Sequence, residues 1–184
     1  MSCLVKSGGL KLTQGAVLDD VPWNLCPKPY SIVLTNPCDV ENGKASFIIV
    51  AAMLSARDTI RASSEFRNRT DPATDHTLTR KQWDSLRVFL TSYVHNTDIR
   101  RYFFIDAQCL DVDPLVVDYQ LLMSMSWPQA QKCRLLARLP SPYVEQMIMH
   151  FASYASRIGA DRISEDHARE LTDFLAQPFR GPQA

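Results

Sequence analysis

One short cluster in this chain has the residue types for chemistry: Pro37-Cys38-Asp39, set between two apolar runs. A thiol beside a carboxylate in a turn can hold a metal or, once deprotonated, attack an electrophile. A nucleophilic cysteine also needs a base and a lowered pKa. The adjacent Asp39 works against this, because a neighbouring negative charge disfavours the thiolate. The structural reading has Asp39 bonding turn amides as an Asx motif while Cys38 packs as a small hydrophobe. Other metal-ligating types are Cys26, His76, His95 and Cys109. None stands at the close paired spacing of zinc motifs, so the sequence yields no metal centre and no cofactor. His95 falls at the end of a predicted helix, where it complements the dipole. His150 precedes an apolar-stripe aromatic, and His167 opens a terminal helix; both read as structural.

The best local signal for a polyanion is basic. Arg57, Arg61, Arg67, Arg69, Arg80, Lys81, Arg87, Arg100 and Arg101 lie within one stretch. Asp58, Glu65, Asp71, Asp75, Asp84 and Asp98 offset most of that charge. Phosphate recognition needs focused charge, so a solvated face competes with a binding face here. Arg57, Arg61, Arg67 and Arg69 are the binding candidates. Trp23 and Tyr30 flank a proline-rich loop beside Lys28 and are the aromatics to place at a binding surface.

The elements that position these residues follow from pattern. Ala16 to Val21 reads as a strand ending before Pro22. Pro22, Pro27 and Pro29 force a loop. Tyr30–Thr35 and Phe47–Leu54 are apolar, partly β-branched runs, and Asn42-Gly43 between them suits a two-residue hairpin turn. Arg57 to His76 is polar and reads largely as an exposed excursion, with a short helix capped near Ser55. Thr79 and Gln82 form a capping box before a helix over 80–94, with Trp83, Leu86, Leu90 and Tyr93 as its stripe. Strands follow at 102–105, 115–119 and 132–139. In the last, Cys133, Leu135, Ala137 and Leu139 alternate inward and Leu136 is off phase. Ser141-Pro142 opens a helix with Tyr143, Met147, Phe151, Tyr154 and Ile158 inward and Gly159 as its cap. Ser164 caps a last helix with Ala168, Leu171 and Leu175 inward, stopping before Pro178. The tail from Phe179 reads as frayed.

The chain's 184 residues, 46% hydrophobic and 22% charged, suffice for a core that needs no metal or disulfide. The formal net charge of zero gives no whole-molecule pull toward nucleic acid or an anionic membrane. The first residues carry no apolar signal core, no run reaches membrane-span length, and the five cysteines form no Cys-x-x-Cys pair. Free thiols in a reducing cytoplasm are the expectation.

The order of these elements resembles the MazF/PemK-like toxins, small SH3-like barrels that cleave RNA. Gly15-Ala-Val-Leu-Asp-Asp-Val-Pro22 is similar to their opening strand, and Lys28-Pro29-Tyr-Ser-Ile-Val-Leu-Thr35 to their Arg-Pro and buried strand. Phe47-Ile-Ile-Val-Ala-Ala-Met53 resembles the third strand, and Val116-Val-Asp-Tyr-Gln120 a late Asp-Gln motif. The likeness covers 15–55 and 102–139. It implies an α+β chain: an SH3-like β-barrel domain over 1–139 with a helical insertion at about 56–98, and a C-terminal helical appendage over 140–184. The family's basic residue falls on Lys28, a point charge rather than a planar fork. Its threonine falls near Met53 or Leu54, with Ser55 the nearest hydroxyl. An incomplete catalytic set favours a non-catalytic binding subunit of a toxin–antitoxin or phage-defence assembly, with a protein partner and no membrane. The alternative is a metal-independent ribonuclease using Lys28, Ser55 and Asp39. A third reading is a metal site at Cys38 and Asp39. Oligomeric state is open.

Overall fold

The computed structural model describes residues 3–6, 11–25, 29–42, 44–70, 78–98 and 101–156. Six strands are β1 (Ala16–Asp19), β2 (Tyr30–Val33), β3 (Phe47–Ser55), β4 (Tyr102–Ile105), β5 (Leu115–Ser126) and β6 (Arg134–Arg138). They form one antiparallel sheet in the order β4-β5-β3-β2-β1-β6. All six contribute to a single apolar cluster, including Val17, Ile32, Met53, Phe103, Val117 and Ala137. A sheet whose two outer strands meet in one core must curl, and this one is a half-barrel. Residues 3–5 span its open side. Leu4 N donates to the Asp106 carbonyl at 3.1 Å, and Val5 exchanges backbone bonds with Arg138 at 2.9 and 3.1 Å. That segment covers edge amides that would otherwise be unpaired.

The helices are α1 (Pro37–Glu41), α2 (Ala56–Ala62), α3 (Ser64–Thr70), α4 (Arg80–Val94), α5 (Trp127–Ala130) and α6 (Tyr143–Ala155). Helix α6 lays Met147, Val144, Ile148, Phe151 and Tyr154 on the central cluster. Helices α2 to α4 cover a second face, where Ile60, Leu86, Phe89 and Tyr93 meet Phe104 and Val116. A third cluster joins Leu18, Val21, Trp23, Val33, Ile48 and Val50 to Ala130 of α5.

Two bulges let one sheet serve these faces. Between Val17 and Leu18 the register on β6 jumps from Ala137 to Leu135, which leaves the off-phase Leu136 as the extra residue. On β5, three residues (Tyr119, Gln120 and Leu121) oppose the single step from Ala51 to Ala52. The buried Asp118 carboxylate anchors this bulge. It accepts from Arg101 Nε at 2.7 Å, Arg101 Nη2 at 2.6 Å and the Gln120 amide at 3.0 Å.

Several sequence expectations are corrected. β2 and β3 pair as foreseen, but α1 stands between them in place of a two-residue hairpin, and Gly43 lies outside the described residues. Pro37 instead occupies the first turn of α1, where its missing N–H is no loss. Asn42 is the C-cap at φ −88°. The strand from Ala16 ends at Asp19, because Asp20 turns to φ 62°. β5 runs to Ser126 rather than 119. Arg57 to Thr70 is helical, as α2 and α3. The α4 stripe is Leu86, Phe89 and Tyr93, with Leu90 half-buried against the same cluster as expected. Trp83, 54% exposed, lies off it. Thr79 and Gln82 do form the capping box. Ser141 does not cap α6; Pro142 takes that position with no side-chain bond. The expectations for Ile158, Gly159, the 164–177 helix and the tail lie outside the described residues.

Candidate functional site

Strand β3 passes directly into α2 at Ser55, whose Oγ accepts from the Asp58 amide at 3.2 Å. Antiparallel pairing sets Tyr30 of β2 opposite Met53, and Leu115 of β5 opposite Ser55. The β5 bulge brings Leu121 to the same place, and Leu25 and Pro29 close it from the proline-rich loop. The result is an open cavity of about 600 Å³. Its apolar lining is Met53, Leu54, Leu115, Leu121, Tyr30, Leu25 and Pro29. Its polar rim is Ser55, Asp58 and Thr59 at the start of α2. An apolar lining with a few polar groups at one edge is the usual form of a recognition pocket.

Sequence reasoning placed Tyr30 and Ser55 as candidates, and the fold brings them together here. Lys28 lies outside the described residues, in the segment between the cavity-lining Leu25 and Pro29. Asp39 stands elsewhere. It is exposed on α1, which leads into the opposite end of β3 from Ser55. Nine strand residues separate those ends by roughly 26 Å. Asp39 and Ser55 therefore do not share one site.

Trp23 is not a surface aromatic. It is 8% exposed, and its Nε1 donates to Ser31 Oγ at 2.7 Å. An indole satisfies its one donor this way when its ring enters a core. The Asx bond at Pro37-Cys38-Asp39 is made by Asn36, whose Oδ1 accepts from the Cys38 amide at 2.9 Å. The Asp39 carbonyl accepts from Lys44 and Ala45. Cys38 is an exposed thiol, not a packed one.

The four arginines divide. Arg57 Nη2 lies 3.2 Å from Asp113 across the surface, and both side chains are well exposed. Arg69 donates to the Glu65 carbonyl at 2.8 Å and lies over the Phe89 ring, 4.5 Å from its centroid. Arg61 and Arg67 are exposed on α2 and α3. They do not converge on the cavity lining.

A second hollow of about 620 Å³ lies between Lys11, Leu18, Val40, Trp127 and Cys133. Burial and the nearby Asp20 raise the Cys133 pKa, the reverse of what a reactive thiol needs. No group of three His, Cys, Asp or Glu side chains placed to hold a metal occurs among the described residues. No described helix is long and apolar enough to cross a membrane.

Sequence reading missed Asp58, Thr59, Leu115 and Leu121 as site residues. Leu121 carries no local signal, because a three-residue bulge decides which way it faces. Asp58 and Thr59 follow the Ser55 cap, and that cap was the one available clue. No protein-family model matches the chain, and no curated protein matches it.

Proposed function

We propose that this chain is a non-catalytic binding module, built on an SH3-like barrel of the MazF/PemK-like kind, that grips an apolar side chain of a protein partner in the Tyr30–Ser55 cavity. The observation that carries this reading is the cavity's lining: seven apolar or aromatic residues and three polar ones, all three on one rim. Such a pocket suits an anchoring aromatic or aliphatic side chain, with hydrogen bonds from the rim to the partner's backbone. The one described charged residue in the lining is Asp58, and the adjacent Arg57 is engaged with Asp113. That electrostatic setting opposes a phosphate. No histidine or cysteine lines the cavity among the described residues, so Ser55 has no imidazole base or thiol beside it there. The proposed setting is a cytoplasmic toxin–antitoxin or defence assembly. A photo-crosslinking amino acid at Thr59 is expected to trap one discrete protein adduct in the native cells. The same probe at Asp39 is expected to trap none. Equal capture from both positions would refute the site.

The second reading is a metal-independent ribonuclease. It is favoured by Ser55 lining the same cavity as Leu25 and Pro29, the described residues on either side of Lys28. It predicts growth arrest on expression, relieved by Lys28→Ala.

A further inference from the structure

A hollow of about 500 Å³ opens where α3 meets α4, lined by Arg69, Asp84, Ser85, Val88, Phe89 and Asp98. None of these residues lines the Tyr30–Ser55 cavity. Helical spacing builds one wall. Asp84 and Val88 stand four residues apart on α4, as do Ser85 and Phe89, so the two pairs form neighbouring ridges. Arg69, the penultimate residue of α3, lays its guanidinium over the Phe89 ring, 4.5 Å from the centroid.

That guanidinium is held but not neutralised. Its Nη1 donates to the Glu65 carbonyl at 2.8 Å, and its Nε is buried with no hydrogen-bond partner among the described residues. Among those residues Arg69 forms no ion pair, and neither does Asp84. The carbonyl bond and the Phe89 ring hold the guanidinium short of Asp84, so a cation and a carboxylate share one hollow without meeting. A buried donor without an acceptor calls for a reason, and here a cation without an anion stands with it. A simple anion such as phosphate suits the hollow poorly, because Asp84 and Asp98 set two carboxylates against one guanidinium. A ligand carrying both a carboxylate and an ammonium group matches both charges. Its carboxylate meets the guanidinium in charge-assisted bonds. Its ammonium faces Asp84, with the adjacent Ser85 hydroxyl as a further acceptor. Val88, 71% exposed, supplies an apolar surface in the same lining.

We propose that this hollow binds an α-amino acid with an apolar side chain, its carboxylate on Arg69, its ammonium on Asp84 and its side chain against Val88. The three features of the lining then answer the three parts of the ligand. Arg69 gains the anion that the fold does not give it.

Titration of the full chain with L-leucine, followed by the amide signals of the NMR spectrum, tests this. Saturable shifts are expected at Asp84, Ser85, Val88 and Phe89. N-acetyl-L-leucine lacks the ammonium group and L-leucine amide lacks the carboxylate. Each is expected to bind about tenfold or more weakly than L-leucine, the factor that one charge-assisted contact supplies. Asp84→Asn alters an exposed side chain and is expected to leave the circular dichroism spectrum unchanged. In that variant the gap between L-leucine and N-acetyl-L-leucine should close. In Arg69→Met the gap between L-leucine and L-leucine amide should close instead. Equal affinities of the wild type for the three compounds would overturn the proposal. So would the absence of saturable shifts on α4, or a gap to N-acetyl-L-leucine that persists in Asp84→Asn.

Discussion

Arg101→Met isolates the force that holds the β5 bulge. The substitution keeps the aliphatic stem and removes both guanidinium bonds to Asp118, at 2.7 and 2.6 Å. Asp118 stays fully buried, with the Gln120 amide still donating to its carboxylate at 3.0 Å. Breaking a buried ion pair on one side costs about 3–5 kcal/mol, because it leaves an uncompensated charge. Arg101 is 38% exposed, so water already screens part of the pair and the lower figure, about 3 kcal/mol, applies. For a chain of this size that lowers Tm by about 6–12 °C. Urea unfolding followed by tryptophan fluorescence measures it. The double variant Arg101→Met/Asp118→Leu removes the stranded charge and is expected to regain more than half of the loss. The bulge also places Leu121 in the cavity, so Arg101→Met is expected to weaken partner capture at temperatures where the chain remains folded. A loss below about 1 kcal/mol, or a double variant less stable than the single one, would refute the assignment of Asp118 as the bulge's anchor.

Other substitutions probe the remaining supports. His150 is 9% exposed, its Nδ1 has no partner among the described residues, and burial lowers its pKa against a smaller opposing effect from the Asn96 backbone. A lowered folded pKa means stability is full above about pH 6.5 and falls as the unfolded chain takes up a proton below it; His150→Gln should flatten that decline in a Tm-versus-pH series from 7.5 to 5. Ser31→Ala strands the buried Trp23 indole N–H and should cost about 1–3 kcal/mol in urea unfolding. Gly15 sits at φ +78°, and an added Cβ would meet Val144 Cγ2 at 2.8 Å and the Leu139 carbonyl at 3.1 Å. Gly15→Ala should therefore cost about 1–3 kcal/mol, and Val144→Ala should recover only the steric part, as read by thermal melts of the single and double variants.

Strand and helix identity were largely legible because burial writes its period into the sequence. Tyr30–Val33 and Phe47–Ser55 alternate or run apolar as buried strands do, and Thr79 with Gln82 announces α4. The connections were less legible. Asn42-Gly43 favours a tight turn by local propensity, yet Asn36 and Pro37 initiate a helix first. Trp23 looks like a surface aromatic beside prolines until Ser31 supplies its partner. The cavity was half visible, through Tyr30 and Ser55. Leu121 enters its lining through the β5 bulge, beside which Asp118 pairs with Arg101, 17 positions away. No window of sequence encodes that.

Binding of a protein partner in the Tyr30–Ser55 cavity is a proposal open to one direct test. The most direct test compares stoichiometric co-purification from native cells for the wild type, Thr59→Arg on the cavity rim, and Asp39→Arg at the far end of β3. The expected result is a complex that Thr59→Arg abolishes and Asp39→Arg preserves, with both variants folded by circular dichroism. A complex that survives Thr59→Arg, or a chain recovered with RNA and no protein, would contradict it.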